Sequence, residues 1–272
     1  MGGWKAKLWN DIADGKKFIL FSGPCVIESE ALCDEIVSHL KSLCDELGIL
    51  YVFKASFDKA NRTSADSFRG PGMDLGKEIL QRIGRDYDVP VLSDIHSPEQ
   101  AEELASVLDV LQIPAFLCRQ TDLVQAAART GKIINLKKGQ FLSPQEMERV
   151  AEKAAEVGNK KILLTERGTT FGYNNLVVDM RSIPIMKRMG YPVLFDATHS
   201  VQSPGGEGNK SGGDRKFAPL LARAAVSVGA NGLFIETHPV PDKALSDGPN
   251  MIPLAKMRET LEYALKIWEI VK

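Results

Sequence analysis

Hydrophobic residues fall into short, nearly continuous runs along the chain, and amphipathic stretches separate most of these runs. Runs of this length and composition are typical of β-strands that are covered on both faces, as they are in parallel sheets. Eight runs fit the description, at residues 18–21, 50–53, 89–92, 110–113, 133–136, 162–164, 193–195 and 232–235.

The stretches between the runs predict helices. Residues 97–100 and 143–146 resemble helix starts, because a serine precedes a proline and then acidic or amide side chains. Residues 252–271 are interpreted as the last helix. The first stretch carries apolar residues at helical spacing on one stripe, namely Leu32, Ile36, Leu40, Leu43 and Leu47.

Eight strands that alternate with helices predict a single closed (β/α)8 barrel, the TIM barrel, with a doubly wound open sheet as the alternative. No linker rich in glycine, serine and proline divides the chain. We therefore expect residues 1–272 to form one catalytic domain, with residues 1–17 as a short N-terminal extension. The glycine-rich residues 204–213 are interpreted as a loop of the active site.

Composition narrows the choice of partners and compartment. The chain is 44% hydrophobic and 25% charged, with a formal net charge of −1, which argues against a general attraction to nucleic acid or membrane surfaces. It has no apolar stretch of membrane-spanning length and no pattern of a signal peptide. Four cysteines are too few for a disulfide scaffold in a chain of this length. We expect a cytoplasmic protein.

Each predicted strand runs from an apolar body into a polar end, and barrels carry their catalytic groups at these ends. A cluster of cations at one barrel mouth, in a nearly neutral chain, predicts phosphate or carboxylate ligands, because the cations would otherwise repel one another. For any single cation, a solvated surface position is the alternative. The six cations are Lys54, Lys59, Arg62, Arg119, Lys137 and Arg167.

A second set of residues predicts a metal site. Cys25, His199, Glu236 and Asp247 follow the first, seventh and eighth strands, which become neighbours when the barrel closes. A thiolate, an imidazole and two carboxylates suit a divalent transition metal. Because the spacing is not local, a packing role for Cys25 and a structural role for His199 remain alternatives. Motifs for nucleotide-phosphate loops, dinucleotide binding and serine nucleophiles are absent from the sequence.

The strand-end segments resemble those of the 3-deoxy-D-manno-octulosonate 8-phosphate synthase family over nearly the whole chain, except the first dozen or so residues. The resemblance implies a cytoplasmic homotetramer that condenses phosphoenolpyruvate with D-arabinose 5-phosphate and water, releasing phosphate, for lipopolysaccharide biosynthesis. The matching segments are GPCVIES (23–29), FKASFDKANR (53–62), QIPAFLCRQTDL (112–123), NLKKGQF (135–141), ERG (166–168), FGYNNL (171–176), DATHS (196–200) and ETHP (236–239).

The resemblance also implies roles for individual residues. Those implied for phosphoenolpyruvate are Lys54, Gln112, Ala115, Lys137 and Arg167. Those implied for arabinose 5-phosphate are Asn61, Arg62 and Thr63, with Arg119 reaching from a neighbouring subunit. Lys59, Asp94 and His199 are the candidates for catalysis, where Lys59 and Asp94 would move protons or support other groups.

Cys25 implies the metal-dependent class of this family, because the other class has asparagine at that position. The implied ligands are Cys25, His199, Glu236 and Asp247, and manganese, iron and zinc all remain open. The related heptulosonate synthases, which use erythrose 4-phosphate, typically carry Lys-Pro-Arg where this chain has KANR at 59–62. A non-catalytic sugar-phosphate-binding barrel is a third possibility, against which the complete set of charged residues argues.

Overall fold

The computed structural model describes residues 7–61, 67–173, 175–203 and 212–272. Within these residues, eight parallel strands follow one another around a barrel, and the last pairs with the first, with Ile19 beside Gly232. This pairing confirms the predicted (β/α)8 barrel and excludes the open sheet. The strands are β1 (Ile19–Gly23), β2 (Leu50–Lys54), β3 (Val91–Asp94), β4 (Val110–Ile113), β5 (Ile133–Lys137), β6 (Ile162–Glu166), β7 (Val193–Asp196) and β8 (Gly232–His238).

In the described part of the chain, one helix precedes the barrel and eight others follow its strands in turn. They are α1 (Leu8–Ala13), α2 (Glu30–Leu47), α3 (Met73–Asp86), α4 (Pro98–Ala105), α5 (Thr121–Arg129), α6 (Met147–Glu156), α7 (Ser182–Lys187), α8 (Ala218–Ser227) and α9 (Met257–Val271). None of these helices is both long and apolar enough to cross a membrane.

The loops contain shorter elements. Two antiparallel pairs occur, Thr169–Thr170 with Leu176–Val177 and Gln202–Ser203 with Gly212–Gly213. A two-residue strand, Ile252–Pro253, lies beside β8. Single 3-10 turns occur at Ala115–Leu117, His199–Val201, Arg215–Phe217, Pro241–Lys243, Gly248–Asn250 and Leu254–Lys256. Several of these elements lie in loops that follow the barrel strands.

Local sequence sets the ends of α2 and α4. Ser29 caps α2, because its side chain accepts a hydrogen bond from the backbone N–H of Leu32 at 3.2 Å. Gly48 ends the same helix at φ +69°, in the left-handed region that favours glycine. The predicted apolar stripe of α2 faces the core, and α4 begins as predicted at Pro98, directly after Ser97.

Two other helices begin later than predicted. Ser143 caps α6 as predicted, because the Glu146 carboxylate accepts hydrogen bonds from the backbone N–H and hydroxyl of Ser143 at 2.8 and 3.0 Å, but the first turn has 3-10 geometry, with the Met147 N–H donating to the Pro144 oxygen at 3.2 Å. The helix itself begins at Met147. The last helix begins at Met257, since Ile252–Pro253 pair with the end of β8 instead.

The inside of the barrel holds an apolar core of its own, separate from the larger core between the strands and the surrounding helices. The helix α1 contributes Leu8 and Ile12 to this inner core, and both are buried. The prediction treats residues 1–17 as an extension, but α1 completes the packing inside the barrel. The strand residues of the inner core are Ile19, Phe21, Val52, Leu92, Val110, Ile133, Leu163, Leu194 and Phe234.

Candidate active site

Beyond the inner core, the inward-facing positions of the strands become polar. Side chains alternate along a strand, so Val52 and Leu92 inside the barrel place Lys54 and Asp94 inside it two residues further on. Because the strands are parallel, these ends form one layer at the carboxyl-terminal mouth of the barrel. We call this layer the cavity floor; its members are buried and comprise Lys54, Asp94, Gln112, Asn135, Lys137, Thr165, Asp196 and Glu236.

A cavity of about 1010 Å³ lies above the cavity floor and brings together most of the predicted site residues. Cys25 is fully buried and contacts the edge of this cavity, whereas Arg119 is exposed and does not line it. Arg62 and Thr63 lie outside the residues that the structure describes. The predicted residues that line the cavity are Lys54, Lys59, Asn61, Asp94, Gln112, Ala115, Lys137, Arg167, His199, Glu236 and Asp247.

Two buried carboxylates form ion pairs with three of the cavity's lysines. Lys54 Nζ lies 2.6 Å from Glu236 Oε1, and Lys59 Nζ lies 3.7 Å from the same oxygen. Lys137 Nζ lies 2.6 Å from Asp196 Oδ2. Because Lys54 and Lys59 share one carboxylate, these pairs reduce the repulsion among the lysines that the sequence predicts but leave a net positive charge for an anionic ligand.

These pairs also set the ionisation of the cavity floor. Burial by itself raises the pKa of Glu236, but His199 and Lys54 hold that pKa well below its usual value. The pKa of Lys137 is lowered, because burial outweighs the attraction of Asp196. The cavity floor is thus a layer of paired charges in which the Glu236 carboxylate stays ionised.

Arg167 differs from the lysines because part of its guanidinium has no partner. Its Nη2 donates to the backbone oxygen of His199 at 3.3 Å and to Gln202 Oε1 at 2.9 Å. Its Nη1 is buried and makes no hydrogen bond to any described residue. A buried donor without an acceptor is costly, so this atom indicates a place for a phosphate or carboxylate oxygen.

His199 is oriented by Asp196. Its Nδ1 lies 2.7 Å from Asp196 Oδ2, and its backbone N–H donates to the other Asp196 oxygen at 2.9 Å. The opposite ring nitrogen, Nε2, lies 3.5 Å from Glu236 Oε2 and 3.9 Å from Asp247 Oδ2. Metal-binding histidines commonly have one nitrogen held by a carboxylate in this way, which leaves the other to the metal.

Cys25 lies beside the same carboxylates. Its Sγ is 3.3 Å from Asp247 Oδ2 and 2.9 Å from Ser246 Oγ. One ligand atom each from Cys25, Glu236 and Asp247 lie within 4.8 Å of one another. Asp247 has φ +48°, a conformation that residues other than glycine seldom adopt and that often marks functional sites. With His199 adjoining, this donor set of sulfur, nitrogen and oxygen fits a divalent transition metal.

The predicted site omits three side chains of the cavity floor, Asn135, Thr165 and Asp196. Asn135 Nδ2 donates to Gln112 Oε1 at 2.7 Å, and Thr165 Oγ1 donates to Asn135 Oδ1 at 2.7 Å. The two-residue alternation would have identified all three, since each lies two residues after an apolar member of the inner core. Ser246, which contacts Cys25, carries no such signal because it lies in a loop.

Lys138 and Glu166 are polar strand ends that face away from the cavity. Lys138 Nζ lies 3.5 Å from Glu166 Oε1 and donates to the backbone oxygens of Leu142 and Gly168, at 3.1 and 3.2 Å. Glu166 Oε1 in turn accepts a hydrogen bond from the backbone N–H of Arg167 at 3.0 Å. This pair therefore fastens the loops after β5 and β6 and holds the backbone of Arg167 from behind.

The barrel and the buried, charged site at its mouth belong to a chain that matches a known protein family. The chain belongs to the DAHP synthetase I family, whose sequence profile matches residues 6–272. The match includes α1, which the predicted resemblance leaves outside.

The chain is also similar to curated proteins named 2-dehydro-3-deoxyphosphooctonate aldolase. It is 59% identical over 256 residues to the one from Cyanothece sp., which covers 94% of each chain. It is 54% identical over 269 residues to the one from Fusobacterium nucleatum subsp. nucleatum, 98% of this chain and 97% of the relative. The relative from Trichlorobacter lovleyi is 59% identical over 248 residues, 91% of each chain. These relatives confirm the predicted resemblance, whereas the metal-dependent class stays a prediction.

Proposed function

We propose that this chain is a 3-deoxy-D-manno-octulosonate 8-phosphate synthase, which condenses phosphoenolpyruvate with D-arabinose 5-phosphate and water and releases inorganic phosphate. The observation that carries the proposal is the cavity at the barrel mouth, where the buried cations Lys137 and Arg167 lie beside a cluster of sulfur and carboxylate groups. The relatives are named after an octonate of the same kind, which supports the acceptor. The product would serve lipopolysaccharide biosynthesis in the cytoplasm.

Phosphoenolpyruvate is assigned to the deep part of the cavity. Lys54, Lys137 and Arg167 would hold its phosphate and carboxylate, with Gln112 and Ala115 beside them. The burial of the three cations supports this assignment, because charge-assisted hydrogen bonds gain strength where water is excluded. The unpartnered Nη1 of Arg167 supports it as well, since an oxygen of the substrate would satisfy that donor.

Arabinose 5-phosphate is assigned to the outer part of the cavity. Asn61 lines the cavity and would contact the sugar. Arg62 and Thr63 would hold its phosphate, and this assignment depends on the resemblance, because both lie outside the described residues. Arg119 is exposed and does not line the cavity of its own chain, which supports the proposal that it reaches this phosphate in a neighbouring subunit of a homotetramer.

In the proposed reaction, C3 of phosphoenolpyruvate bonds to the aldehyde carbon, water adds at C2, and phosphate leaves with its bridging oxygen by cleavage of the C2–oxygen bond. As its oxygen becomes the C2 carbonyl oxygen, the water loses both protons, one to the aldehyde oxygen and the other to the departing phosphate. Lys59 is assigned the delivery of a proton to the aldehyde oxygen. It lines the cavity and stays protonated, because burial lowers its pKa but neighbouring anions, the Glu236 carboxylate among them, raise it overall. The other fixed cations stabilise the charge that develops.

Asp94 is assigned a supporting role rather than proton transfer. Ser56 Oγ donates to its Oδ2 at 2.5 Å and Gln112 Nε2 donates to its Oδ1, so both oxygens already accept hydrogen bonds. Burial by itself raises the pKa of Asp94, but Lys54 and Lys59 hold it below its usual value. A carboxylate in this state is a poor proton donor, and its position suits it to hold Gln112.

We further propose that Cys25, His199, Glu236 and Asp247 hold a divalent ion of manganese, iron or zinc. Asp196 supports this proposal by orienting the imidazole. Burial raises the pKa of the Cys25 thiol and the Glu236 charge adds to the rise, so a cation at this site would stabilise the thiolate. When bound, the ion would supply Lewis-acid stabilisation of charge at the reacting oxygen.

A phosphate-release assay tests the proposed function, using phosphoenolpyruvate with either arabinose 5-phosphate or erythrose 4-phosphate. We expect release with arabinose 5-phosphate. A preference for erythrose 4-phosphate would favour a heptulosonate synthase, and no release with either acceptor would favour a non-catalytic sugar-phosphate-binding barrel. Assays with and without a chelator show whether activity requires a metal, and elemental analysis identifies the metal.

Replacement of Cys25 tests the metal site separately. We expect Cys25→Ala to lose bound metal, as measured by elemental analysis, together with most of its activity. Cys33→Ala is the matched control, since Cys33 is equally buried but lies in α2, away from the cluster. Full activity in a demonstrably metal-free Cys25→Ala protein would contradict the metal assignment.

A further inference from the structure

A chain of hydrogen bonds crosses four neighbouring strands within the cavity floor. Thr165 Oγ1 on β6 donates to Asn135 Oδ1 on β5, and Asn135 Nδ2 donates to Gln112 Oε1 on β4, both at 2.7 Å. Gln112 Nε2 then donates to Asp94 Oδ1 on β3. At this end, Ser56 Oγ donates to the other Asp94 oxygen at 2.5 Å. All five side chains are buried.

The chemistry of these groups allows only one direction along the chain. An ionised carboxylate can only accept hydrogen bonds, so Gln112 must turn its NH2 group toward Asp94. The Gln112 oxygen then faces Asn135, which must turn its own NH2 group toward that oxygen. The Asn135 oxygen is left to accept from the Thr165 hydroxyl. A single anion at one end therefore determines the orientation of both amides, and Lys54 and Lys59 help to keep that anion ionised.

Gln112 is the amide of this chain that lines the cavity. A side-chain amide has one oxygen and two N–H donors. The Gln112 oxygen accepts from Asn135, and one of the two N–H groups is donated to Asp94. Gln112 therefore retains one N–H donor, together with the second lone pair of the oxygen that faces Asn135.

We propose that Gln112 offers its remaining N–H to the ligand, and that Asn135 and Thr165 are positioning residues that keep the Gln112 oxygen turned toward Asn135. The proposal rests on the proposed function in taking the ligand to be phosphoenolpyruvate, whose ionised carboxylate and phosphate offer only acceptor oxygens. The chain thus holds the Gln112 amide in the orientation that turns its NH2 group toward Asp94 and leaves one N–H for an oxygen of this anion.

A double-mutant cycle across the two ends of the chain tests the proposal. Asp94→Asn replaces the anion with an amide that can donate or accept, and Thr165→Val removes the last donor while nearly keeping its shape. These residues lie on β3 and β6, which are not adjacent, so unconnected roles would give independent effects. We expect KM for phosphoenolpyruvate to rise about tenfold in Asp94→Asn, about threefold in Thr165→Val and about tenfold in the double variant.

Two controls separate amide polarity from packing. Thr165→Ser keeps the hydroxyl, and its KM for phosphoenolpyruvate is expected within about twofold of the wild type. Ser93→Ala removes a hydroxyl from the neighbouring position on β3, where Ser93 Oγ is buried without a partner among the described residues. It is expected to leave this KM unchanged. In all variants KM for arabinose 5-phosphate is expected to change less than about twofold, because that substrate is assigned elsewhere.

Independent effects, with a rise of about thirtyfold in the double variant, would overturn the proposal. If Asp94→Asn does not fold, the comparison of Thr165→Val with Thr165→Ser tests the proposal instead. Equal KM values for phosphoenolpyruvate in these two variants would also overturn it. Failure of the proposed function is recognised separately, as a wild-type protein that releases no phosphate. In that case the free energies of unfolding of the same variants measure the coupling, and strict additivity would rule out the chain.

Discussion

The two halves of the barrel interior are built by the same strands and differ in chemistry. The amino-terminal half is apolar and α1 packs into it, whereas the carboxyl-terminal half is a layer of charged and amide side chains below a cavity. On β5 the change takes place over three inward positions, from Ile133 through Asn135 to Lys137. Within the barrel interior, apolar packing is therefore confined to one half and the chemistry to the other.

Phe234 lies where the two halves meet. It belongs to the inner core, and its ring centroid lies 3.8 Å from Lys137 Nζ and 5.6 Å from Lys54 Nζ. Cation–π attraction gains strength where the cation is desolvated. The top of the apolar half therefore supports the ammonium groups of the polar half, and the boundary between the halves is itself part of the site.

Removing a charge from the polar half is expected to have the largest effect. Lys137→Met removes the ammonium group 2.6 Å from the buried Asp196, which keeps its contacts to His199 and Thr198, so the free energy of unfolding should fall by about 1–3 kcal/mol. We also expect kcat/KM to fall about 100-fold or more, because a cation of the site is lost. Denaturant unfolding and phosphate release measure the two effects. The exposed Lys160→Met is the control, and near-normal activity in Lys137→Met would refute its assignment to the substrate.

A cavity in the apolar half is expected to cost stability without costing catalysis. Leu163→Ala removes buried methyl groups and should lower the free energy of unfolding by about 2–5 kcal/mol. We expect kcat/KM to stay within about twofold of the wild type below the unfolding temperature, because Leu163 does not line the cavity. A large loss of kcat/KM in the folded variant would show that the two halves are not separable.

A change at the boundary is expected to have a smaller effect on both properties. Phe234→Leu keeps an apolar side chain but loses the ring beside Lys137, and cation–π contacts are worth about 0.5–2 kcal/mol. We expect KM for phosphoenolpyruvate to rise about threefold to tenfold. Phe21→Leu is the matched control, since Phe21 lies in the same inner core. If KM for phosphoenolpyruvate is the same in the two variants, the Phe234 ring does not support the ammonium groups, and the boundary between the halves lies closer to the cavity than Phe234.

The smallest expected effect is the acid sensitivity that Asp94 contributes. Its pKa is lowered in the folded protein, so its stabilising effect is present above the unfolded value of about 3.9 and is lost as pH falls through the folded value. The stability difference between the wild type and Asp94→Asn should therefore shrink below about pH 4, by up to about 1.4 kcal/mol per pH unit. Unfolding curves between about pH 3 and pH 6 measure it. A difference independent of pH would contradict an ionised Asp94.

The hydrophobic pattern of the sequence predicted which strands and helices form better than it predicted where they begin and end. All eight apolar runs correspond to barrel strands, because the alternation of apolar strands with amphipathic helices is a local property. The starts of α6 and α9 lie further along than predicted, because the capped first turn of α6 has 3-10 geometry and because Ile252–Pro253 pair with β8 instead of forming helix. The resemblance to a known family predicted most residues of the cavity, but it did not indicate Asn135 or Thr165.

The sequence by itself determined that this protein is a barrel and that cations, a cysteine and carboxylates lie at its strand ends, because both follow from residue order along single strands. Only the tertiary structure decided which charges neutralise one another. Lys54 meets Glu236 across 182 positions of sequence, and Lys137 meets Asp196 across the strands of the mouth. The structure likewise decided that Arg167 retains an unpartnered donor. Such pairings depend on distances between strands, which closure of the barrel sets and residue order does not contain.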